Sequence, residues 1–261
     1  MYDFNYTQAK SIDEAAKSHG LATEPKYLAG GMTLIPTLKQ RLASPSDLID
    51  LAKIADLKGI KVSGKTVRIG AMTRHADVAE SAEVQKAIPA LAKLAGGIGD
   101  PMVRNRGTMG GSIANNDPAA DYPSAVVGLG ATVHTSKRDI PGDEFFTGMF
   151  ETALEPGELV TAVSFPVPDK AAYMKFPNPA SRYAIVGVFV SKTGSNVRVA
   201  VTGAGPCVFR AKEMEAALGK DFSAKAIESI KTPADDLNSD IHASAEYRAH
   251  LVGVMARRAV S

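Results

Sequence analysis

The sequence predicts an α+β protein, on three observations. Short apolar runs alternate with segments of helical period through residues 1–55. Three runs of strand character, separated by turn residues, lie between Tyr173 and Gly203 and predict an antiparallel sheet. From Arg210 onward the pattern turns helical. The breaks between these patterns divide the chain into 1–55, 56–167 and 168–261, the last beginning where Phe165-Pro166-Val167-Pro168 interrupts a strand.

Tyr2, Phe4 and Tyr6 alternate as a short strand, and Ser11-Ile12-Asp13-Glu14 forms a capping box that opens a helix ending at Gly20. Lys26 to Ala29 reads as a strand, Leu34, Leu38 and Leu42 as one face of a helix, and Leu48 to Leu51 as a third strand. The result is a small β-α-β-α-β unit. Gly59-Ile60-Lys61-Val62-Ser63-Gly64-Lys65-Thr66 matches the GxxxxGKS/T pattern of a nucleotide-binding P-loop. That motif needs a strand before it and a helix after it. Here Ile60 and Val62 alternate before the turn and Val67 and Ile69 after it, which predicts a β-hairpin.

A helix from Arg74 to Ser81 and a longer one from Glu83 to Leu94 follow, then a glycine-rich stretch, a short apolar segment at Ala125 to Leu129, and strands at Ala131 to Thr135 and Val160 to Val167. Beyond the boundary come strands at Tyr173 to Phe176, Tyr183 to Lys192 and Val197 to Gly203. Helices are expected at Arg210 to Leu218, Ala224 to Ile230 and Ala243 to Ala259.

Thirty Lys and Arg against 28 Asp and Glu leave a net charge of +2 with no basic stripe, which argues against nucleic acid as a partner. No apolar run is long enough to span a bilayer, and the N-terminus lacks the shape of a signal peptide, so the cytoplasm is the expected compartment. Cys207 is the sole cysteine, which excludes an internal disulfide and a cysteine-ligated iron–sulfur cluster. The five histidines form no HExxH, so no metal site is expected. A nucleophile elbow, a cysteine with a histidine partner and a strand-borne GxGxxG are also missing, and no catalytic residue is assigned.

What remains is a pair of glycine bends. Tyr27-Leu28-Ala29-Gly30-Gly31-Met32-Thr33-Leu34 runs from a strand through two glycines into a helix, a geometry that offers free N–H groups and the positive end of a helix dipole to a phosphate. The second, Arg104-Asn105-Arg106-Gly107-Thr108-Met109-Gly110-Gly111-Ser112, adds hydroxyls, and Asn115 and Asn116 add amides. Two such bends suit the two phosphates of a dinucleotide.

Ala29-Gly30-Gly31-Met32-Thr33-Leu34-Ile35-Pro36, followed by Thr108-Met109-Gly110-Gly111-Ser112-Ile113-Ala114 and Asp117-Pro118-Ala119-Ala120-Asp121-Tyr122-Pro123, resembles the FAD-binding subunit of the molybdenum hydroxylases. The medium subunits of aerobic carbon monoxide dehydrogenases stand nearer, the FAD domain of xanthine dehydrogenase farther. The resemblance covers nearly the whole chain. It implies a two-lobed FAD-binding domain of the vanillyl-alcohol-oxidase/PCMH type, with lobes at 1–55 and 56–167, followed by an antiparallel sheet with helices at 168–261.

It also implies site residues for a noncovalent FAD. Ala29, Gly30, Gly31, Met32, Thr33 and Leu34 would turn their amides to the pyrophosphate, with the Thr33 hydroxyl. Thr108, Gly110, Gly111 and Ser112 would clasp the ribityl and phosphate region from the other side. Asn115 would sit near the flavin, Asp121 at the ribose or adenine, Leu159 or Val160 against the adenine, and Lys175 where it offsets cofactor charge. Met32 departs from the commoner polar residue of this bend, which leaves its backbone amide usable. The implied partners are an iron–sulfur small subunit with 2Fe-2S clusters and a large subunit with a molybdenum cofactor, in a dimer of heterotrimers where FAD passes electrons to an acceptor. Competing readings are a stand-alone FAD oxidoreductase, a P-loop regulatory protein and an assembly module that has lost its cofactor.

Overall fold

A computed structural model describes residues 1–261, and the chain forms three larger sheets in sequence order with one two-stranded ribbon beside the second. The first holds β1 (Asn5–Gln8), β2 (Pro25–Leu28) and β3 (Asp47–Asp50) in the parallel order β1-β3-β2. Between them run α1 (Ile12–Leu21) and α2 (Leu34–Lys39). The Ser11 hydroxyl accepts from the Glu14 amide at 3.1 Å, and the Glu14 carboxylate reaches back to the Lys10 amide at 2.8 Å, which fixes the start of α1. The first strand lies later than Tyr2, and α1 continues through Gly20. The second helix is shorter than its leucine spacing suggests, because Arg41 turns left-handed and leaves Leu42 in solvent.

The second sheet is antiparallel, and its N-terminal edge is the hairpin of β4 (Ile60–Ser63) and β5 (Thr66–Gly70). Gly64, at φ 57°, takes the left-handed place in its turn, so the P-loop-like string is two strands with no phosphate-binding helix after it. There follow α3 (His75–Glu80), α4 (Ala82–Ala87), α5 (Pro89–Gly96), α6 (Pro101–Arg104), α7 (Met109–Asn115) and α8 (Tyr122–Gly128). The single helix expected from Glu83 to Leu94 is thus two. Pro89 cannot donate and forces Ile88 out of helical geometry, so it opens α5 as an N1 residue. The apolar segment after Asp121 is helical and wholly buried.

Next come β6 (Thr132–Thr135), β7 (Asp139–Pro141), α9 (Gly142–Phe145), β8 (Phe146–Gly148), β9 (Glu151–Thr152) and β10 (Val160–Pro166). The strand β10 pairs with both β5 and β6, closing the order β4-β5-β10-β6-β7. Its inner face, with Val67, Ile69, Val133, Val163 and Phe165, meets α5, α7 and α8 in the largest apolar core.

The C-terminal sheet is β11 (Lys170–Pro177), β12 (Ala184–Thr193), β13 (Asn196–Thr202) and β14 (Phe209–Arg210), antiparallel in that order. It is covered by α10 (Lys212–Lys220) and α11 (Ala245–Val260), whose Met214, Leu218, Leu251, Val252 and Met255 pack on Val186, Val188, Val190 and Val199. The helix expected at Ala224 to Ile230 is a single 3-10 turn. No helix is long and apolar enough to cross a membrane.

Candidate functional site

The strand β2 lies at the edge of the first sheet, and the chain leaves it at Ala29 and enters α2 at Leu34. None of the amides of residues 29 to 33 donates to a protein acceptor, and Leu34, as the first helical residue, has no intrahelical partner. Thr33 caps the helix without engaging its hydroxyl there. Gly31 sits at φ 74°, which turns successive N–H groups to one side. A run of free donors at a helix start is a strong anion site, since each unsatisfied amide is worth most to a charged oxygen.

The second bend is built differently. Thr108 is the N-cap of α7, and its hydroxyl accepts from the Gly111 amide at 3.2 Å. Met109 donates to the Thr73 carbonyl and Gly110 to that of Ala71. What the sequence suggests as an open glycine loop is the first turn of a helix sewn onto the end of β5. The amides of Met109, Gly110 and Gly111 are therefore committed within the protein, the last of them to the Thr108 oxygen. A Cβ on Gly110 would lie 2.5 Å from the Ala71 Cβ, and one on Gly111 would lie 2.9 Å from the Thr108 Oγ1 and 3.2 Å from the Ala29 Cβ. These glycines permit close approach of protein to protein.

The two bends meet. A Cβ on Gly30 would fall 2.1 Å from the Arg106 carbonyl oxygen and 2.9 Å from the Gly107 Cα. Gly107 in turn rests on His75, whose amide donates to the Gly107 carbonyl at 3.0 Å and whose Nε2 would be 2.5 Å from a Cβ there. His75 is buried, its ring 5.3 Å from that of Tyr122 and tilted 51° to it. Burial, reinforced by the charge of Arg104, pushes its pKa down to about 4, so it is neutral near pH 7. The Nδ1 of His75 and the hydroxyl of Tyr122 are both buried without a partner.

Asp121 and Lys175 also come together, although 54 residues separate them. The Lys175 ammonium lies 2.9 Å from the Asp121 carboxylate and 2.9 Å from the Gly97 carbonyl, and the Tyr173 hydroxyl donates to the same carboxylate. Burial raises the Asp121 carboxyl, with Lys175 and Tyr173 working against it. The pair ties α8 to β11, so the charge Lys175 offsets in the protein is that of Asp121. It also means that both Asp121 oxygens have protein partners. Leu159 has its side chain in the core with Ile49, Ile54, Leu57 and Met72. Ser112 and Asn115 line the open side of α7 half-buried, with no side-chain bond within the protein. Asn116, whose amide the sequence offered to a ligand, follows at φ 43° and instead donates it to the Gly148 and Glu151 carbonyls at 2.7 Å. An asparagine at a helix C-terminus was the signal for that left-handed turn.

The fold and this site define a class: a carrier of a diphosphate-bearing cofactor, cradled by a strand–glycine–helix bend braced on a second. Comparison with known proteins gives the family. Residues 2–168 match the FAD binding domain in molybdopterin dehydrogenase, and residues 171–261 match the CO dehydrogenase flavoprotein C-terminal domain. The carbon monoxide dehydrogenase medium chain of Hydrogenophaga pseudoflava is 36% identical, the match covering 99% of this chain and 96% of that one. In the solved carbon monoxide dehydrogenase from the same organism, one that lacks the Mo-pyranopterin moiety, a chain superposes with a TM-score of 0.88 at 37% identity, covering 98% of this chain and 96% of that one. The xanthine dehydrogenase FAD-binding subunit of Escherichia coli O157:H7 is more distant, at 27% identity over 100% of this chain and 96% of its own.

The chain belongs to the family of FAD-binding medium subunits of the molybdenum hydroxylases. Neither the P-loop reading nor that of a stand-alone oxidoreductase is supported.

Proposed function

We propose that this chain carries FAD noncovalently as the electron-relay subunit of a heteromeric hydroxylase or dehydrogenase of the carbon monoxide dehydrogenase kind. The observation that carries the reading is the row of unpartnered amides from Ala29 to Thr33, braced by the Arg106 carbonyl behind Gly30. With the Leu34 amide, six such bonds to a diphosphate, at roughly 0.5–1.5 kcal/mol net each, support noncovalent retention without a covalent link. Bound FAD supplies one- and two-electron chemistry, and the protein supplies its binding and orientation.

In this reading the bend at Ala29 to Leu34 holds the pyrophosphate, with the Thr33 hydroxyl. Ser112 and Asn115 complete the ribityl and flavin side, and Thr108, Gly110 and Gly111 shape the wall behind it. Asp121 and Lys175 set the far end as one neutralised pair, and Leu159 backs the adenine side from the core. The architecture at 1–167 is that of a two-lobed FAD domain of the vanillyl-alcohol-oxidase/PCMH type. With one cysteine the chain cannot ligate a cluster, so a small subunit with 2Fe-2S centres and a large subunit with a molybdenum cofactor bring the other redox groups. The complex is a cytoplasmic dimer of heterotrimers.

The test is to purify the tagged chain from its native host. A flavin spectrum and co-purification of one larger and one smaller metal-bearing subunit are expected. A colourless chain that purifies alone would overturn the proposal.

A further inference from the structure

On the outer face of the second sheet, three strands bring together a serine, a histidine and an aspartate that the cofactor site does not use. The Nδ1 of His134 lies 2.6 Å from the Asp139 carboxylate, and its Nε2 lies 2.7 Å from the Ser164 hydroxyl oxygen. A neutral imidazole between these two groups has one arrangement of its protons. Nδ1–H donates to the carboxylate, and the Ser164 hydroxyl donates to Nε2. In that order of groups a histidine draws the proton from an attacking serine while an aspartate fixes its tautomer.

The sheet sets this order by register. Val133, Ile140, Val163 and Phe165 point into the core, which turns their neighbours His134, Asp139 and Ser164 outward. His134 pairs with Asp139 across β6 and β7. On its other side a bulge in β10 between Val160 and Ala162 shifts the pairing with Thr135 and His134, and the Thr161 hydroxyl donates to the His134 carbonyl at 3.1 Å. Such bulges re-aim a side chain, here toward Ser164, whose own partner on β6 is Thr132. The His134 side chain is 20% exposed, so it is held in the sheet yet open to a small solute.

The groups around Ser164 select a substrate. Arg68 is its partner in the register of β5 and β10 and shares its face, and Lys61 follows across from Arg68 on β4. Ion pairs engage Arg138, Arg198, Arg210 and Arg248 among the arginines and Lys137, Lys175 and Lys212 among the lysines, which leaves Arg68 and Lys61 free. Two free cations in line with the hydroxyl suit an oxyanion and a second negative charge.

We propose that Ser164, His134 and Asp139 hydrolyse small carboxylic esters that carry a negative charge, a second activity of this chain that does not involve the flavin. The Ser164 oxygen attacks the ester carbonyl as His134 takes its proton, and Arg68 faces the oxyanion. The bond from the carbonyl carbon to the alcohol oxygen breaks, His134 protonates the departing alkoxide, and an acyl-serine remains. Water then attacks the acyl carbon and gives a proton to His134, and the acid leaves as Ser164 recovers that proton.

The test uses the purified full chain with mono-4-nitrophenyl glutarate, and 4-nitrophenyl acetate as the uncharged comparison. Saturable release of 4-nitrophenolate is expected, with kcat/KM for the charged ester about tenfold or more above that for the uncharged one. Ser164→Ala should lower kcat about a hundredfold or more and Asp139→Asn about tenfold or more, with flavin content unchanged, while Arg68→Ala should remove the preference for the charged ester. Phenylmethylsulfonyl fluoride should sulfonylate Ser164 in the unmutated chain, located by peptide mass. Release no faster than in buffer, an unchanged rate in Ser164→Ala, or sulfonylation only at other residues would each overturn the proposal.

Discussion

The two glycine pairs, Gly30-Gly31 and Gly110-Gly111, look alike in sequence and do opposite work. In the first, the chain turns its donors outward, and residues 29 to 33 keep their amides free. In the second, the donors turn inward to Ala71, Thr73 and Thr108, and the glycines exist so that a helix can press on a strand end. The difference teaches that a glycine pair marks close approach, and that only the hydrogen-bond ledger of the neighbouring amides says to what.

The sharpest way to break this comparison is Gly30→Ala. Its Cβ would meet backbone, the Arg106 carbonyl at 2.1 Å, so the bends must part. A loss of flavin of at least a hundredfold in affinity, about 3 kcal/mol or more, is expected by absorbance titration. Retained affinity would mean that the bends do not act as one unit.

The brace behind the second bend is read by pH. Because the folded-state pKa of His75 is lowered from 6.5 to about 4, the native state binds fewer protons than the unfolded chain. The stabilisation is present in full above the unfolded value and is lost as pH falls from about 6.5 toward 4, by roughly 3 kcal/mol. Denaturant titrations across that range should show the loss in the wild type and much less of it in His75→Asn.

Thr108→Ala removes only the α7 cap. It should cost about 1 kcal/mol by thermal unfolding and leave flavin affinity within a few-fold, as befits an oxygen that accepts from the Gly111 amide. Met32→Ala should do least. Its side chain is 38% exposed and only its amide faces the site, so stability should change by less than about 0.5 kcal/mol and flavin content not at all.

Much of the fold was legible because local chemistry decides it. The Ser11 and Glu14 box, the hairpin around Gly64 and the alternation in β12 and β13 each state their own geometry. The break at Pro89 was equally local and should have been taken from the proline itself. In the site, the first bend could be read as an anion cradle because a strand, glycines and a helix follow in order. The second could not, since its partners Ala71 and Thr73 arrive from a hairpin earlier in the chain. Asp121 with Tyr173 and Lys175 was hidden for the same reason, being a product of how α8 meets β11. Left-handed backbone at Phe150 and Arg182 runs against what those residue types prefer, so sequence argued for the opposite.

The contact of Gly30 with the Arg106 carbonyl fixes a timetable as well as a shape. A ribosome releases the first lobe well before residue 106, and during that interval the chain owns half a clasp with nothing to shut it. On the FAD reading proposed above, a nascent chain that ends short of Arg106 should bind the coenzyme more weakly than the whole chain.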